Sequence, residues 1–341
     1  MGKSSDSHLT SRISHPSRHV LVLVGPTASG KTAIALSLAE QLQAEIISAD
    51  SRQIYKHLDI GTAKPTKAER KHIKHHFVDE LNPDKGFNSG EFGNRGREVV
   101  ENIFFRKKVP LVVGGSGLYI QSLVDGFFDG PSADKTVRDN IEKRLAHEGT
   151  ESLLAELQKI DPITASKMFL TKPRRIIRAL EVYYLTGIPL SEHHKSKIRI
   201  SFTPVFVGLQ WERKVLYDRI NKRVDWMIEQ GLVDEVKQLK KLGYSSDLNA
   251  LQTVGYKEVY DYLDGKTTLE RMVELIKQNS RRFAKRQLTW FRRDERIVWF
   301  ELKNEEDISK TASQIYQYFA EEVGAIPPFG GTTSKCRGDW I

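Results

Sequence analysis

The sequence predicts an α/β protein in which a parallel sheet core is flanked by helices and interrupted by an all-helical insertion. Three observations predict this fold class. Short apolar runs rich in Val, Leu and Ile alternate with helical patterns, as strands and helices do in parallel sheets. A glycine-rich loop joins the first of these runs to a helix. Residues 137–197 carry helical periodicity without a convincing strand.

The glycine-rich loop, here called the P-loop, consists of Gly25, Pro26, Thr27, Ala28, Ser29, Gly30, Lys31 and Thr32 and matches G-x-x-x-x-G-K-[ST]. Residues 20–24 before it are apolar, and residues 33–39 after it are helical. The backbone N–H groups of such a loop and the helix N-terminus bind phosphate. The motif in this context predicts a P-loop NTPase-like core that holds a di- or triphosphate, with Lys31 on the terminal phosphates and Thr32 on Mg²⁺. A chance glycine-rich turn is the disfavoured alternative.

Residues 45–49 are predicted as the second strand, which brings Asp50 to its C-terminal end. Ligands of open α/β sheets bind at that edge, so Asp50 is expected to face the bound phosphate. A carboxylate at this position also suits a helix cap or a turn. Residues 59–65 follow as a loop and residues 90–107 as a helix.

Residues 109–113 are predicted as the third strand, and Gly114 and Gly115 follow it directly. In a P-loop ATPase such a strand ends in an acidic Mg²⁺ ligand. Glycines instead allow a ligand to approach the backbone closely. We therefore expect no simple ATP hydrolysis, and we expect Asp50 to be the main acidic group of the site.

The second half of the chain returns to the sheet at residues 204–209. A helix follows, with Leu216, Ile220, Val224 and Met227 on one face and Arg213, Arg219 and Arg223 elsewhere on the same stretch. Any of these arginines could point to a leaving phosphate or to solvent. Residues 252–258 form a loop that enters a short helix, residues 297–300 a last strand and residues 308–323 a last helix.

Two basic segments suit a polyanionic partner. Seven basic residues lie between Arg281 and Arg296, with Phe283, Trp290 and Phe291 interleaved. Arginines for phosphates and rings for unstacked bases are the chemistry of a nucleic-acid groove, although the rings also suit a core. Residues 172–178 of the insertion are basic as well, and there a solvated basic face is equally consistent.

Composition and the chain ends limit the possible domain organisation, partners and location of the protein. The 341 residues favour two domains or one domain with an insertion. Lys and Arg number 53 against 44 Asp and Glu, a formal charge of +9. No apolar run approaches the roughly 18 residues of a membrane span. Cys336 is the only cysteine, which excludes a disulfide within the chain and fits a reducing, cytoplasmic location. Residues 1–19 and 326–341 are expected to be a flexible leader and a flexible tail.

Six motifs in order resemble the tRNA dimethylallyltransferases, the bacterial-type tRNA isopentenyltransferase family. They are the P-loop and residues 48–55, 59–65, 113–119, 254–256 and 284–290, and the resemblance runs from about Val20 to about Glu301. It implies transfer of a dimethylallyl group from dimethylallyl diphosphate to the N6 amine of the adenosine directly 3′ of the anticodon, in tRNAs that read codons beginning with U. The P-loop then holds a diphosphate leaving group and not ATP, with Mg²⁺ as cofactor.

The resemblance also implies roles for particular residues. Asp50 is expected to be the general base, with Lys31, Thr32 through Mg²⁺, and Arg223 stabilising the diphosphate. Expected tRNA contacts are Asp50, Ser51, Arg52, Gln53, Ser116, Arg138, Arg174, Arg175, Ile176, Ile177, Arg178, Gln252, Thr253, Val254, Gly255, Tyr256, Lys257, Arg286, Gln287, Leu288, Thr289, Trp290, Phe291, Arg292 and Arg293.

The implied organisation is a monomer whose core domain spans residues 20–130 and 200–325. Residues 131–199 form a helical insertion that clamps the tRNA anticodon stem-loop. Three alternatives keep the P-loop: a small-molecule or nucleotide kinase, an isopentenyltransferase for free adenine nucleotides, and a non-catalytic RNA-binding module. The kinase predicts ATP turnover and does not need the basic, aromatic segment near Arg286.

Overall fold

The computed structural model describes residues 18–126, 134–195 and 200–324. The chain divides into two compact units, one formed by the residues up to Ile120 and from Ser201 onward, the other by Gln121–Ile200. Cys336, the predicted tail and nearly all of the predicted leader lie outside the described residues.

Along the chain the strands are β1 (His19–Val24), β2 (Ala44–Ala49), β3 (His75–His76), β4 (Val109–Gly114), β5 (Thr203–Trp211) and β6 (Val298–Leu302). The helices are α1 (Lys31–Leu42), α2 (Lys67–His72), α3 (Ser89–Phe105), α4 (Gly117–Val124), α5 (Lys135–Ile160), α6 (Pro162–Ala165), α7 (Pro173–Thr186), α8 (Leu190–His193), α9 (Arg213–Glu229), α10 (Leu232–Lys241), α11 (Tyr256–Leu263), α12 (Leu269–Phe291) and α13 (Asp307–Val323). The five predicted strands are present, with ends shifted by one or two residues. Among these helices, none is long and apolar enough to cross a membrane.

The six strands form one parallel sheet in the order β3-β2-β4-β1-β5-β6. Strand β1 is buried along most of its length, which explains its continuous hydrophobic run, and β2 is buried along its whole length although it includes Glu45 and Ser48. Val24 pairs with Gly114 and with Gly208, and Ala49 also pairs with Gly114. Strands β1, β2 and β4 therefore end at the same level, and the turns that follow them meet at one edge of the sheet.

Glycines at the end of β4 make close contacts with protein groups. A Cβ on Gly114 would lie 2.1 Å from Ala49 O, and one on Gly115 would lie 2.0 Å from Gln287 Nε2. A Cβ on Gly117 would lie 2.1 Å from Trp290 Nε1. The sequence analysis expected these glycines to make room for a ligand. Instead, they make room for the neighbouring strand and for two side chains of α12.

The unit Gln121–Ile200 is helical throughout its described residues, as predicted for the insertion. Its own core is built from α5, α6, α7 and α8 and includes Ile141, Leu153, Leu157, Ile176 and Leu180. Helix α5 is interrupted at Gly149, whose φ of 82° lies in the left-handed region that glycine adopts at little cost. The insertion therefore has an apolar core of its own, as expected for a separate compact unit.

A buried carboxylate joins the near ends of β2, β3 and α3. Glu45 is 2% exposed and accepts two hydrogen bonds from Arg106, at 3.0 and 2.7 Å, and one from His76 at 2.8 Å. Lys108 adds a further positive charge at 3.6 Å. Burial alone would raise the pKa of Glu45, but the bonds from Arg106 and His76 outweigh it and lower the pKa to about 2.

We expect Glu45→Gln to lower the free energy of unfolding at pH 7 by about 3 kcal/mol, because the substitution removes the charge and leaves Arg106 poorly paired. The lowered pKa gives stability that is present above the unfolded-state value of 4.5 and is lost as the pH falls toward 2. Urea unfolding between pH 7 and pH 2.5 measures both effects. The exposed Glu98→Gln is the matched control. An unchanged pH profile in Glu45→Gln would contradict this account.

Candidate active site

Side chains from distant parts of the chain hold the P-loop in place. Gly30, with φ of 88°, begins α1, and Ala28 has φ of 63°. Trp211 Nε1 donates to Ser29 O at 3.0 Å, and Arg219 Nε donates to Ala28 O at 2.8 Å. The first N–H groups of α1 have no partner within the helix, so they are suited to bind an anion.

Two cations and one carboxylate gather beside the P-loop. Partial burial, followed by the positive charge of Arg223, lowers the pKa of Lys31 to about 7, while Asp50 acts in the opposite direction. Burial likewise lowers the pKa of Arg223, and Asp50 opposes this shift. The single carboxylate therefore does not balance the positive charge of the two cations. A phosphate group would supply that charge and would favour the protonated form of Lys31.

Asp50 stands in the turn after β2, which is bonded to the turn after β4. Its Oδ1 accepts from Arg52 N at 2.8 Å, as in a turn carboxylate. Ser51 N donates to Ser116 Oγ at 3.1 Å, and Ser116 N donates to Ala49 O at 3.2 Å. Asp50 therefore combines both roles considered from the sequence, since one oxygen serves the turn while the side chain lines the site.

Two neighbouring cavities are both lined by Asp50. The larger, of about 440 Å³, is lined by polar and basic groups that include Arg52, Ser116, Lys257 and Arg286. The smaller, of about 90 Å³, is lined by residues that include Lys31, Thr32, Ser48 and His75. The residues that line both are Thr27, Asp50, Thr62, Arg223 and Phe283. Asp50 and Arg223 therefore stand between a phosphate-binding loop and a basic chamber.

The loop of residues 59–65 forms one wall of both cavities and is held by Glu235, which the sequence analysis missed. Glu235 accepts from Asp59 N at 3.0 Å, from Ile60 N at 2.8 Å and from Tyr256 OH at 2.6 Å. A Cβ on Gly61 would lie 2.4 Å from the Tyr256 ring. No sequence signal predicts Glu235, because about 175 residues separate it from the backbone groups that it binds.

Lys64 and Gln53 fix the same loop from the other side. Lys64 is buried and donates to Tyr55 O at 2.8 Å and to Asp79 Oδ1 at 2.8 Å. Gln53 accepts from Ser48 Oγ at 2.8 Å and donates to Thr62 O at 3.3 Å. The side chain of Gln53, expected at the tRNA surface, therefore joins the loop to β2.

The predicted tRNA-contact residues occupy three kinds of position. Those that line the larger cavity are Asp50, Ser51, Arg52, Ser116, Gln252, Thr253, Val254, Gly255, Lys257 and Arg286. Those with buried side chains are Ile176, Ile177, Tyr256, Gln287 and Phe291. Those exposed on their own unit are Arg174, Arg175, Thr289, Trp290, Arg292 and Arg293. Leu288 is partly buried against the core of the sheet.

Ile176 and Ile177 belong to the core of the insertion, so their side chains present no surface to RNA. Arg138 and Arg178 both pair with the buried Glu181, at 3.8 and 2.9 Å. The basic stretch at the start of α7 therefore divides between arginines that stabilise the unit and arginines at its surface. This division follows the helical period, because Ile176, Ile177 and Leu180 face inward.

Gln287 is buried within the site rather than at an RNA surface. Its Oε1 accepts from Thr27 N at 2.9 Å, and its Nε2 donates to Gly115 O at 3.0 Å. Among the aromatic residues near it, Phe283 and Trp290 are 39% and 37% exposed, whereas Phe291 is in the core. Helix α12 therefore turns one face to the P-loop and another to solvent.

Known proteins are similar to this chain over most of its length. The family model described as IPP transferase matches residues 53–294. A tRNA dimethylallyltransferase of Bacillus velezensis is 46% identical over 306 residues, which cover 89% of this chain and 97% of the relative. That of Thermotoga maritima is 44% identical over 302 residues, which cover 89% of this chain and 98% of the relative.

Solved structures agree with the sequence relatives. The tRNA isopentenylpyrophosphate transferase of Bacillus halodurans matches with a TM-score of 0.68 at 40% identity, covering 90% of this chain and 97% of that one. A eukaryotic dimethylallyltransferase acting on tRNA matches with a TM-score of 0.80 at 28% identity, covering 92% of this chain and 81% of that one. The family model, the sequence relatives and the solved structures agree over most of the chain. The chain therefore belongs to the tRNA dimethylallyltransferase family.

Proposed function

We propose that this enzyme transfers a dimethylallyl group from dimethylallyl diphosphate to the N6 amine of the adenosine directly 3′ of the anticodon, in tRNAs that read codons beginning with U. The products are N6-isopentenyladenosine and diphosphate. The observation that carries the proposal is the position of Asp50 and Arg223, which line both the cavity of the P-loop and the larger basic cavity. A reaction between an allylic diphosphate and a nucleic-acid base needs its two substrates to meet at such a junction.

The reaction is a nucleophilic substitution at the allylic carbon. The N6 nitrogen forms the new C–N bond, the C–O bond to diphosphate breaks, and one N6 proton must leave. The adenine amine is a weak nucleophile because its lone pair is delocalised into the ring. We assign Asp50 as the base that accepts the proton, since it is the carboxylate shared by the two cavities and one of its oxygens is already fixed by Arg52 N.

The leaving diphosphate gains negative charge as the C–O bond breaks. The N–H groups at the start of α1 and the side chains of Lys31 and Arg223 surround the small cavity in which we place it. These groups are fixed before the reaction, so they stabilise the developing charge without reorganising. The electrostatic cost of holding Lys31 beside Arg223 in the free enzyme is recovered when the anion binds.

A magnesium ion fits the donors of this cavity. Thr32 lines it and offers a hydroxyl oxygen. Mg²⁺ is commonly held by one or two protein oxygens together with substrate phosphates and water. Within the described residues, no group of three or more His, Cys, Asp or Glu could hold a metal ion by itself. When bound, the ion would neutralise charge on the diphosphate.

The larger cavity suits an unstacked nucleotide. Arg52, Lys257 and Arg286 offer positive charge for RNA phosphates, and the half-exposed Phe283 offers a ring beside Asp50. A base must leave the stack of its loop to react, because its N6 amine is otherwise out of reach. We also propose that the enzyme acts as a cytoplasmic monomer, since the P-loop, Asp50 and the basic cavity all come from one chain.

A transfer assay tests the proposal. The full chain is incubated with Mg²⁺, labelled dimethylallyl diphosphate and an anticodon stem-loop that carries adenosine directly 3′ of the anticodon, without ATP. We expect label in the RNA and none in a stem-loop with guanosine at that position or in free AMP. Labelled AMP would favour a free-nucleotide enzyme. No label, together with movement of the γ-phosphate in a parallel incubation with ATP, would favour a kinase.

We expect Asp50→Asn to lower kcat about 10²- to 10⁴-fold, the usual range for loss of a general base. The amide keeps the hydrogen bond from Arg52 N but cannot accept the N6 proton. Single-turnover transfer with enzyme in excess measures the effect. Asp84→Asn, an exposed surface change, is the matched control and should react at the wild-type rate. Unchanged transfer by Asp50→Asn would remove Asp50 from this role.

We expect diphosphate binding by the wild type to weaken as the pH rises above about 7, because free Lys31 then loses its proton. Arg223 lowers the pKa of Lys31, so Arg223→Met should move this midpoint to higher pH and also weaken binding at pH 6. Calorimetric titration with magnesium diphosphate from pH 6 to 9 measures both effects. Ionisation of the ligand is common to the two proteins and cancels in the comparison. A midpoint that moves to lower pH would contradict the electrostatic account.

A further inference from the structure

The buried amide of Gln287 connects the P-loop to the end of β4. Gln287 is 8% exposed, and each end of its amide is bonded to backbone: Oε1 accepts from Thr27 N at 2.9 Å, and Nε2 donates to Gly115 O at 3.0 Å. We propose that Gln287 is a positioning residue that sets the geometry of the P-loop for the diphosphate. It acts through the loop and does not contact RNA.

The peptide group that Gln287 binds also holds the catalytic lysine. The carbonyl of Pro26 and the N–H of Thr27 belong to one peptide unit, which is planar and turns as a whole. Pro26 O accepts from Lys31 Nζ at 2.7 Å and from Ser29 N at 3.3 Å. The bond from Thr27 N to Gln287 therefore fixes the direction of the carbonyl that receives the Lys31 ammonium. Loss of this bond frees the peptide unit to rotate and releases Lys31 from its position.

Gly115 provides the other half of the connection. A Cβ at position 115 would lie 2.0 Å from Gln287 Nε2, so a side chain there displaces the amide. Gly115 does not have a positive φ, and alanine can adopt its backbone conformation without strain. Gly115→Ala therefore removes the same interaction as a change of Gln287, but from the other partner.

Two adjacent residues of α12 have different roles, one in RNA binding and the other in positioning the P-loop. Arg286 lines the larger cavity, whereas Gln287 faces the P-loop. The role of Arg286 in RNA binding rests on the proposed function, whereas the connection between Gln287 and the P-loop does not. Variants at the two positions should accordingly affect different ligands.

The test compares Gln287→Met, Gly115→Ala and the double variant with the wild type. Methionine keeps the length of the side chain and removes both hydrogen bonds. The dissociation constants of magnesium diphosphate and of the anticodon stem-loop are measured separately. We expect each single variant to weaken diphosphate binding about tenfold, near the upper end for loss of a buried hydrogen-bonding group, with RNA affinity changed by less than about twofold. The KM for dimethylallyl diphosphate should rise by a similar factor.

Two controls make the result decisive. Because both changes break one interaction, the double variant should bind diphosphate no more weakly than either single variant. Met272→Ala opens a cavity in the buried face of α12 away from the loop, and should lower the melting temperature without weakening diphosphate binding. Arg286→Ala should weaken RNA binding alone.

Three outcomes would overturn the proposal: RNA binding weakened by Gln287→Met with diphosphate binding intact, diphosphate binding weakened equally by Met272→Ala, or additive effects in the double variant. Diphosphate binding needs no prenyl transfer. A wild type that binds diphosphate with this dependence on Gln287 but transfers no label would therefore disprove the proposed function and leave this inference standing.

Discussion

The register of the parallel sheet is the constraint on which the site depends. Val24, Ala49 and Gly114 end their strands at one level, so the P-loop, Asp50 and Ser116 begin from the same edge. A Cβ on Gly114 would lie 2.1 Å from Ala49 O, so the absence of a side chain lets the ends of β2 and β4 approach closely. This close approach allows Ser116 to form a hydrogen bond with the turn that carries Asp50. A shift in this register would separate the carboxylate from the phosphate loop, whichever residues remained.

The charged side chains at this edge of the sheet favour the binding of an anion. Burial lowers the pKa values of Lys31 and Arg223, the charge of Arg223 lowers that of Lys31 further, and Asp50 acts in the opposite direction on both. The free site is therefore destabilised by its own cations, and a diphosphate relieves that repulsion. Under the proposed function, Asp50 accepts a proton from one substrate while the two cations hold the leaving group of the other.

The sequence predicted the parts of the fold that depend on local patterns. Short apolar, β-branched runs identified β1, β2, β4, β5 and β6, and β1 shows the pattern most clearly because it is buried along most of its length. Strand β3 has only two residues and therefore no period to detect. Helix α2 was missed although Thr66 and Glu69 form a capping box that its sequence displays. Glu235 could not have been found, because its partners are backbone groups that only the folded chain brings near.

A motif identifies a site more reliably than it identifies the role of each residue in it. Within α12, Ala284, Gln287 and Phe291 recur at helical spacing and are buried, whereas Lys285 and Arg286 lie outside that face and are exposed. This period is present in the sequence, and it distinguishes the buried face of the helix from its exposed residues. Gln287 is polar on the buried face, and a buried amide must find partners. Its partners are the two loops that the sheet brings to its edge, so the helix that carries the basic residues proposed to bind RNA also supports the P-loop.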